Sequence, residues 1–443
     1  MGFRIRSLRF NHDPSQSVTS ALNLRKNRLA FSDEPEWIRG RSFSSIDCRA
    51  AYAIGEVDLD QLAVMAVIER DPSDPLGIEI RAVNPVASLQ GPVNQLLQLL
   101  PHPDLLNSLW NRYDWWQAFV QSLAHFNYST YYQSLRALLS NYRNVLGEIG
   151  ATTVTFQPGQ TRALVSLHPV GTELKQRGVG IHDDQWLWQF RFHGLDYWKA
   201  MDLTRQRIYT TLAEPVAPWS QQPFDAGNLN LPWADLLEFS CRWAFRAETA
   251  DEASGAITDA VYGLGGVLFE YGCEVGTVSM YSDFVYDLFD CSAFLERLKG
   301  GPGNGPYVNC SDCASMVTSM ANILGAGLWQ STMGIPSGGF FMTNPVMAIG
   351  STRWQSPCGW GQGFTYHEVA WKGECDVEDG LFDACLALDA DISPEQFPHD
   401  PILARGMRFG RPGERQYVDL FIAPEDRTQC LPAPSNRRRR AII

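Results

Sequence analysis

Two cysteines three residues apart, Cys310 and Cys313, open the stretch YVNCSDCASMVTSMANILG at residues 307–325. Such a pair can hold a metal, fill a core or supply a nucleophile. Helical phase separates the two. Cys313, Met316, Val317, Met320, Ala321 and Leu324 recur at three- and four-residue steps, which predicts a helix with one buried face. Asn309 or Ser311 can cap its start, and Gly325 and Gly327 can stop it. With Asn309 as the cap, Cys310 is the first helical residue and Cys313 lies one turn inside. A thiol in the first turn faces free backbone N–H groups and the positive end of the helix dipole, which favour the nucleophilic thiolate. Cys310 is therefore the candidate nucleophile, and Cys313 a small buried hydrophobe. The same N–H groups can stabilise an oxyanion.

A thiol nucleophile needs a base, and the base needs an orienting group. The segment GQGFTYHEVAWKG offers His367 in a strand-like alternation with Val369 and Trp371. Asp383, Asp389 and Asp391 follow in DGLFDACLALDAD. A hairpin of residues 364–371 and 381–388 centred near Cys375 sets His367 opposite Asp383. Asp389 and Asp391 are expected at an exposed, acidic strand end.

A structural zinc site remains an alternative, with Cys310 and Cys313 joined by Cys358, Cys375 or His367. Against it, the sequence holds no second C-x-x-C. A serine hydrolase or a zincin is not indicated, because G-x-S-x-G and H-E-x-x-H are absent. The loop KGGPGNGPY lacks the spacing of a phosphate cradle. His182, Asp183 and Asp184 in GIHDDQW are expected in a polar turn.

Together these residues resemble the transglutaminase-like branch of the papain-like cysteine enzymes. Cys310, Asp312, Ala314 and Gly325 match its first block, HEVAW and LFDA resemble its second, and ASGAITDAVYGLGGVLFEYGC its opening helix. The resemblance covers roughly residues 230–420. It implies catalytic Cys310, His367 and Asp383: a thiolate that attacks a peptide or side-chain amide, a base that carries the proton, and a carboxylate that fixes the imidazole tautomer. The thioester would then pass to water, as in a protease or deamidase, or to a lysine amine, as in a crosslinking transglutaminase. A tryptophan screening it from water could be Trp329, Trp354, Trp360 or Trp371. A catalytically inactive protein-binding scaffold is the other alternative. The implied partner is a protein or peptide substrate, and no cofactor is called for.

The elements that must position these residues fall into an α+β arrangement. Residues 1–54 show little periodicity and read as an N-terminal extension. Residues 55–218 form a β-rich domain with a helical insertion at about 92–146. Within it, ATTVTFQPGQTRALVSL predicts a hairpin around Pro158-Gly159, and WLWQFRF aligns Trp186, Trp188, Phe190 and Phe192 as one core face. The Pro-, Asn- and Gln-rich stretch 214–233 reads as a linker. The resemblance implies that residues 230–425 make a transglutaminase-like, papain-type α+β catalytic domain; residues 426–443 read as a basic tail whose Arg437–Arg440 run is expected to be solvated.

The formal net charge is −13, which argues against nucleic-acid partners and anionic membrane surfaces. No signal peptide or spanning stretch is visible, so a cytoplasmic protein with reduced thiols is expected from its ten cysteines. Eight of the ten lie after residue 270, which marks the C-terminal part as chemically different.

Overall fold

The computed structural model describes residues 2–13, 15–16, 18–41, 48–85, 144–221, 227–354, 358, 363–391 and 398–443. The expected helical insertion lies outside the described residues except for 144–146, and so does Trp360. The described part is α+β, and none of its helices is long and apolar enough to cross a membrane.

Two sheets build the first half. One runs β2 (Trp37–Ile38), β1 (Arg4–Arg9), β4 (Val64–Glu69) and β7 (Arg162–Leu167). The other runs β3 (Arg49–Ala53), β10 (Lys199–Thr211), β9 (Gly180–Arg191), β5 (Gly77–Val83), β6 (Glu148–Thr155) and β8 (Pro169–Val170). The period-two pattern of WLWQFRF puts Trp186, Trp188 and Phe190 in the core, with Phe192 packed at its margin. The buried indoles are satisfied: Trp186 Nε1 donates to the Gly147 carbonyl and Trp188 Nε1 to Thr204 Oγ1, both at 2.9 Å.

The second half places α4 (Cys310–Asn322) against β17 (His367–Trp371), β15 (Trp329–Gly334), α1 (Ala234–Trp243) and α2 (Ala250–Gly263). Its main sheet runs β21 (Arg405–Arg408), β18 (Gly380–Phe382), β17, β15 and β22 (Leu431–Pro432). Short pairings complete it. They join β11 (Glu270–Tyr271) with β14 (Tyr307–Val308), β12 (Ser282–Asp283) with β13 (Leu288–Phe289) and β23 (Ala441–Ile442), and β16 (Val346–Ala348) with β19 (Leu386–Asp389) and β20 (Pro401–Ile402). Helices α3 (Cys291–Leu298) and α5 (Tyr417–Phe421) flank these strands. The two halves share β3. Ala50 and Tyr52 face the first core, whereas Ala51 and Ala53 face the second.

Several expectations are corrected. Residues 1–54 are no extension, because β1 is central in its sheet and Ile5, Leu8 and Phe10 are wholly buried. The strands flanking Pro158-Gly159 exist but do not pair; the turn carries the chain from one sheet to the other. GIHDDQW starts β9 rather than forming a turn, with Asp183 bound to Arg207 and Asp184 accepting from the Val145 and Leu146 N–H groups. The described start of the linker is packed, for Trp219 Nε1 donates to the Ser319 carbonyl of α4 at 2.8 Å. Cys273 and Cys358, expected as thiols, are disulfide-bonded across 85 residues, which the fold allows by setting their Cα atoms 5.1 Å apart. The arginine run is built into the fold, with Arg440 wholly buried.

Candidate functional site

The site begins at the N-terminus of α4. The Asn309 carboxamide oxygen accepts from the Ser311 and Asp312 N–H groups, and Asp312 reaches back to the Asn309 N–H, so a capping box fixes where the helix starts. Asp312 also accepts from the Met280 and Tyr281 N–H groups at 3.0 Å, which ties the cap to the neighbouring segment. Burial raises the Asp312 pKa to about 6, although these backbone donors oppose it. Cys310 is thereby the first helical residue, and the caps leave its N–H unused. At the far end Gly325 has φ +88°, and a Cβ there would meet Ala213 at 2.7 Å. The helix is buried all round rather than on one face, because polar residues on its other side bind the linker and the segment after Met280.

His367 opens β17 beside α4. The observed hairpin pairs Ala370 with Phe382 and Trp371 with Leu381, and both pairs average to 376 rather than 375. His367 would then face position 385. Strand β18 ends at Phe382, however, and Asp383 leaves the ladder by donating its N–H to the Ala404 carbonyl. Its carboxylate Oδ2 therefore reaches His367 Nε2 at 2.9 Å, with both side chains buried. Cys375 takes the turn with φ +65°.

Four groups hold the Asp383 carboxylate. Oδ1 accepts from the Cys385 and Leu386 N–H groups at 2.8 and 3.2 Å, and Oδ2 accepts from the Tyr417 hydroxyl at 2.7 Å as well as from His367. Phe364 and Phe421 pack on the imidazole, with ring centroids at 5.5 and 4.9 Å. His367 Nδ1 is buried without a full hydrogen bond, and the Cys310 thiol interacts with the same ring. Burial alone would lower the His367 pKa. The charge and hydrogen bond of Asp383, then Cys310, outweigh it and hold the pKa up at about 10. The arrangement can keep an imidazolium next to a thiolate and can return that proton to a leaving group.

Cys310 is itself 4% exposed. Two phenols not anticipated from the sequence lie near it. Burial and then the proximity of Cys310 raise the pKa of Tyr366 to about 12, and the same causes raise that of Tyr271. Tyr366 directly precedes His367, and β11 pairs Tyr271 beside Val308, two residues before Cys310. The available signals were that Tyr366 adjoins HEVAW and that Tyr271 lies within ASGAITDAVYGLGGVLFEYGC. Tyr417, in RQYVDLF, offered none.

The other candidates separate from this centre. Cys313 is buried in the core and interacts with Cys385. Asp389 is buried, not exposed; it binds His399 at 2.6 Å and accepts the Asp391 and Asp400 N–H groups. Among the described tryptophans named above, Trp371 donates to the Ser331 carbonyl, Trp329 lies between Arg437 and Arg439, and Trp354 packs on His399. Among the described residues no group of three or more His, Cys, Asp or Glu side chains is arranged to hold a metal, and Cys358 is committed to its disulfide.

No protein-family model and no curated protein matches this sequence. A structure of red sea bream transglutaminase aligns with 86% of this chain at 9% identity and a TM-score of 0.30. The chain spans about half of that enzyme, with 52% of it covered.

Proposed function

We propose that this protein is a cysteine-nucleophile enzyme of the transglutaminase-like kind, acting on peptide or side-chain amides of a protein substrate. The observation that carries the reading is the buried Asp383–His367 pair, whose charge-stabilised imidazole is turned to a thiol at a helix N-terminus. In the proposed reaction the Cys310 thiolate attacks the amide carbon. The carbonyl oxygen takes up negative charge facing the Cys310 N–H. As the C–N bond breaks, His367 gives its proton to the departing nitrogen, leaving a thioester on Cys310. Water or an amine then attacks that thioester. His367 takes the proton of the attacking group, and the thiolate leaves. Asp383 keeps Nε2 bound throughout, so Nδ1 does the proton work. Tyr417 and the two backbone N–H groups keep Asp383 in place.

The test is incubation with a glutamine-containing casein and a small primary amine, followed by mass measurement of the casein. Gain of the amine mass less that of the ammonia released, of one mass unit per glutamine, or of cleavage products supports acyl transfer, deamidation or proteolysis respectively, provided Cys310→Ala abolishes the change. A change that survives Cys310→Ala contradicts the proposal.

A further inference from the structure

The four consecutive arginines alternate as a strand does. Arg437 and Arg439 turn one way and sandwich Trp329, each guanidinium carbon 3.8 Å from the ring centroid. Arg438 and Arg440 turn the other way, onto Glu368. The segment is held in that phase by backbone pairing of Arg438 with Gln330 and by β23 alongside β13.

Arg440 is wholly buried, and its guanidinium meets the elements that form the candidate site. Nη1 donates to Glu368 Oε1 at 2.9 Å, to Ser315 Oγ at 3.1 Å and to Gln330 Oε1 at 3.2 Å, while Nη2 donates to Glu368 Oε2 at 3.0 Å. Glu368 follows His367 on β17, Ser315 lies on the helix that begins with Cys310, and Gln330 lies on β15 between β17 and β22. The same guanidinium is 4.9 Å from the Phe284 ring, which meets the Tyr366 ring edge-on at 6.1 Å. We infer that Arg440 is a positioning residue for the proposed reaction, fixing the nucleophile's helix against the base's strand; this rests on the thiol reading above.

The physical reason is geometric. A buried ion pair is a weak source of net stability compared with apolar packing. Its planar fork, by contrast, fixes direction, because two parallel N–H bonds to one carboxylate and a third to Ser315 admit one arrangement of β17 and α4. Lysine keeps the charge but has no fork. A displacement of about an ångström between thiol and imidazole is enough to cost orders of magnitude in rate.

The experiment measures Cys310 alkylation by peptide mapping in Arg440→Lys, Ser315→Ala and Arg437→Gln, at a temperature where circular dichroism shows each fully folded. Arg440→Lys should slow alkylation about tenfold, Ser315→Ala about threefold, and Arg437→Gln by less than about twofold. A purely structural arginine would lower the melting temperature and leave the rate per folded molecule unchanged. Wild-type rates in folded Arg440→Lys and Ser315→Ala overturn the inference. If Arg440→Lys does not fold, Ser315→Ala decides alone. If wild-type Cys310 reacts no faster than an unfolded thiol, the thiol reading itself falls, and the two failures are thereby distinguished.

Discussion

Two sites, one in each half of the molecule, respond to burial in opposite ways. In the first half, burial pushes Asp184 and His182 toward their neutral forms. Asp184 rises to about 7 despite two backbone donors, and His182 falls to about 4. In the second half His367 is wholly buried yet moves toward its charged form, to about 10, because Asp383 is fixed against it. Glu368 and Arg440 are likewise both sequestered and paired. Burial alone therefore does not mark a functional site. What distinguishes the His367 site is a charge kept in the interior by a fixed partner, next to a nucleophile.

Four substitutions probe this contrast. The largest effect belongs to Cys310→Ala, which should abolish turnover and remove labelling at that position, as loss of a nucleophile removes the covalent route. Next is Asp383→Asn. It should lower the His367 pKa toward the ordinary 6.5 and cut kcat by about 10³-fold, with the pKa read by NMR titration of the imidazole. Its stability effect has a definite sign. A raised histidine pKa stabilises the fold fully below about 6.5, and that contribution is lost as pH rises through about 10. Asp383→Asn should flatten that part of the profile. If the imidazole pKa is unchanged in the variant, the two halves do not differ as argued.

Tyr417→Phe comes third. It removes one donor from Asp383 Oδ2 and leaves the His367 contact, so a stability loss of about 1–2 kcal/mol in urea unfolding is expected. A fall in kcat of about tenfold should accompany it. The smallest effect on reactivity is expected in the first half. Asp184→Asn should leave Cys310 alkylation unchanged and alter only stability. The raised carboxyl pKa stabilises the fold fully below about 3.8, and that contribution is lost as pH rises through about 7. The variant should lack that slope. A changed alkylation rate would break the separation between the halves.

The elements around Cys310 were legible because they are local. Helical phase, an Asn cap and a terminal glycine specify α4 from within 17 consecutive residues, 309–325. His367 and Asp383 were legible because a short hairpin joins them, although its centre is one residue further on. What could not be read is long-range. The Pro158-Gly159 turn looks like a hairpin, yet each flanking strand finds a better partner elsewhere, β5 for β6 and β4 for β7. Arg437–Arg440 look solvated because their anion, Glu368, and their aromatic partner, Trp329, lie some 70 and 110 residues upstream. Tyr417 stands 34 residues from Asp383 with no periodic signal connecting them. The Cys273–Cys358 bond spans 85 residues, a separation from which pairing cannot be deduced.

The most direct test of the central claim is a time course of alkylation across the eight free cysteines of the folded protein at neutral pH, read by peptide mapping. Cys310 should react first, and His367→Ala should slow it by at least about 100-fold while leaving the other seven unchanged. Reaction of Cys313 ahead of Cys310, or a Cys310 rate indifferent to His367, would contradict the account.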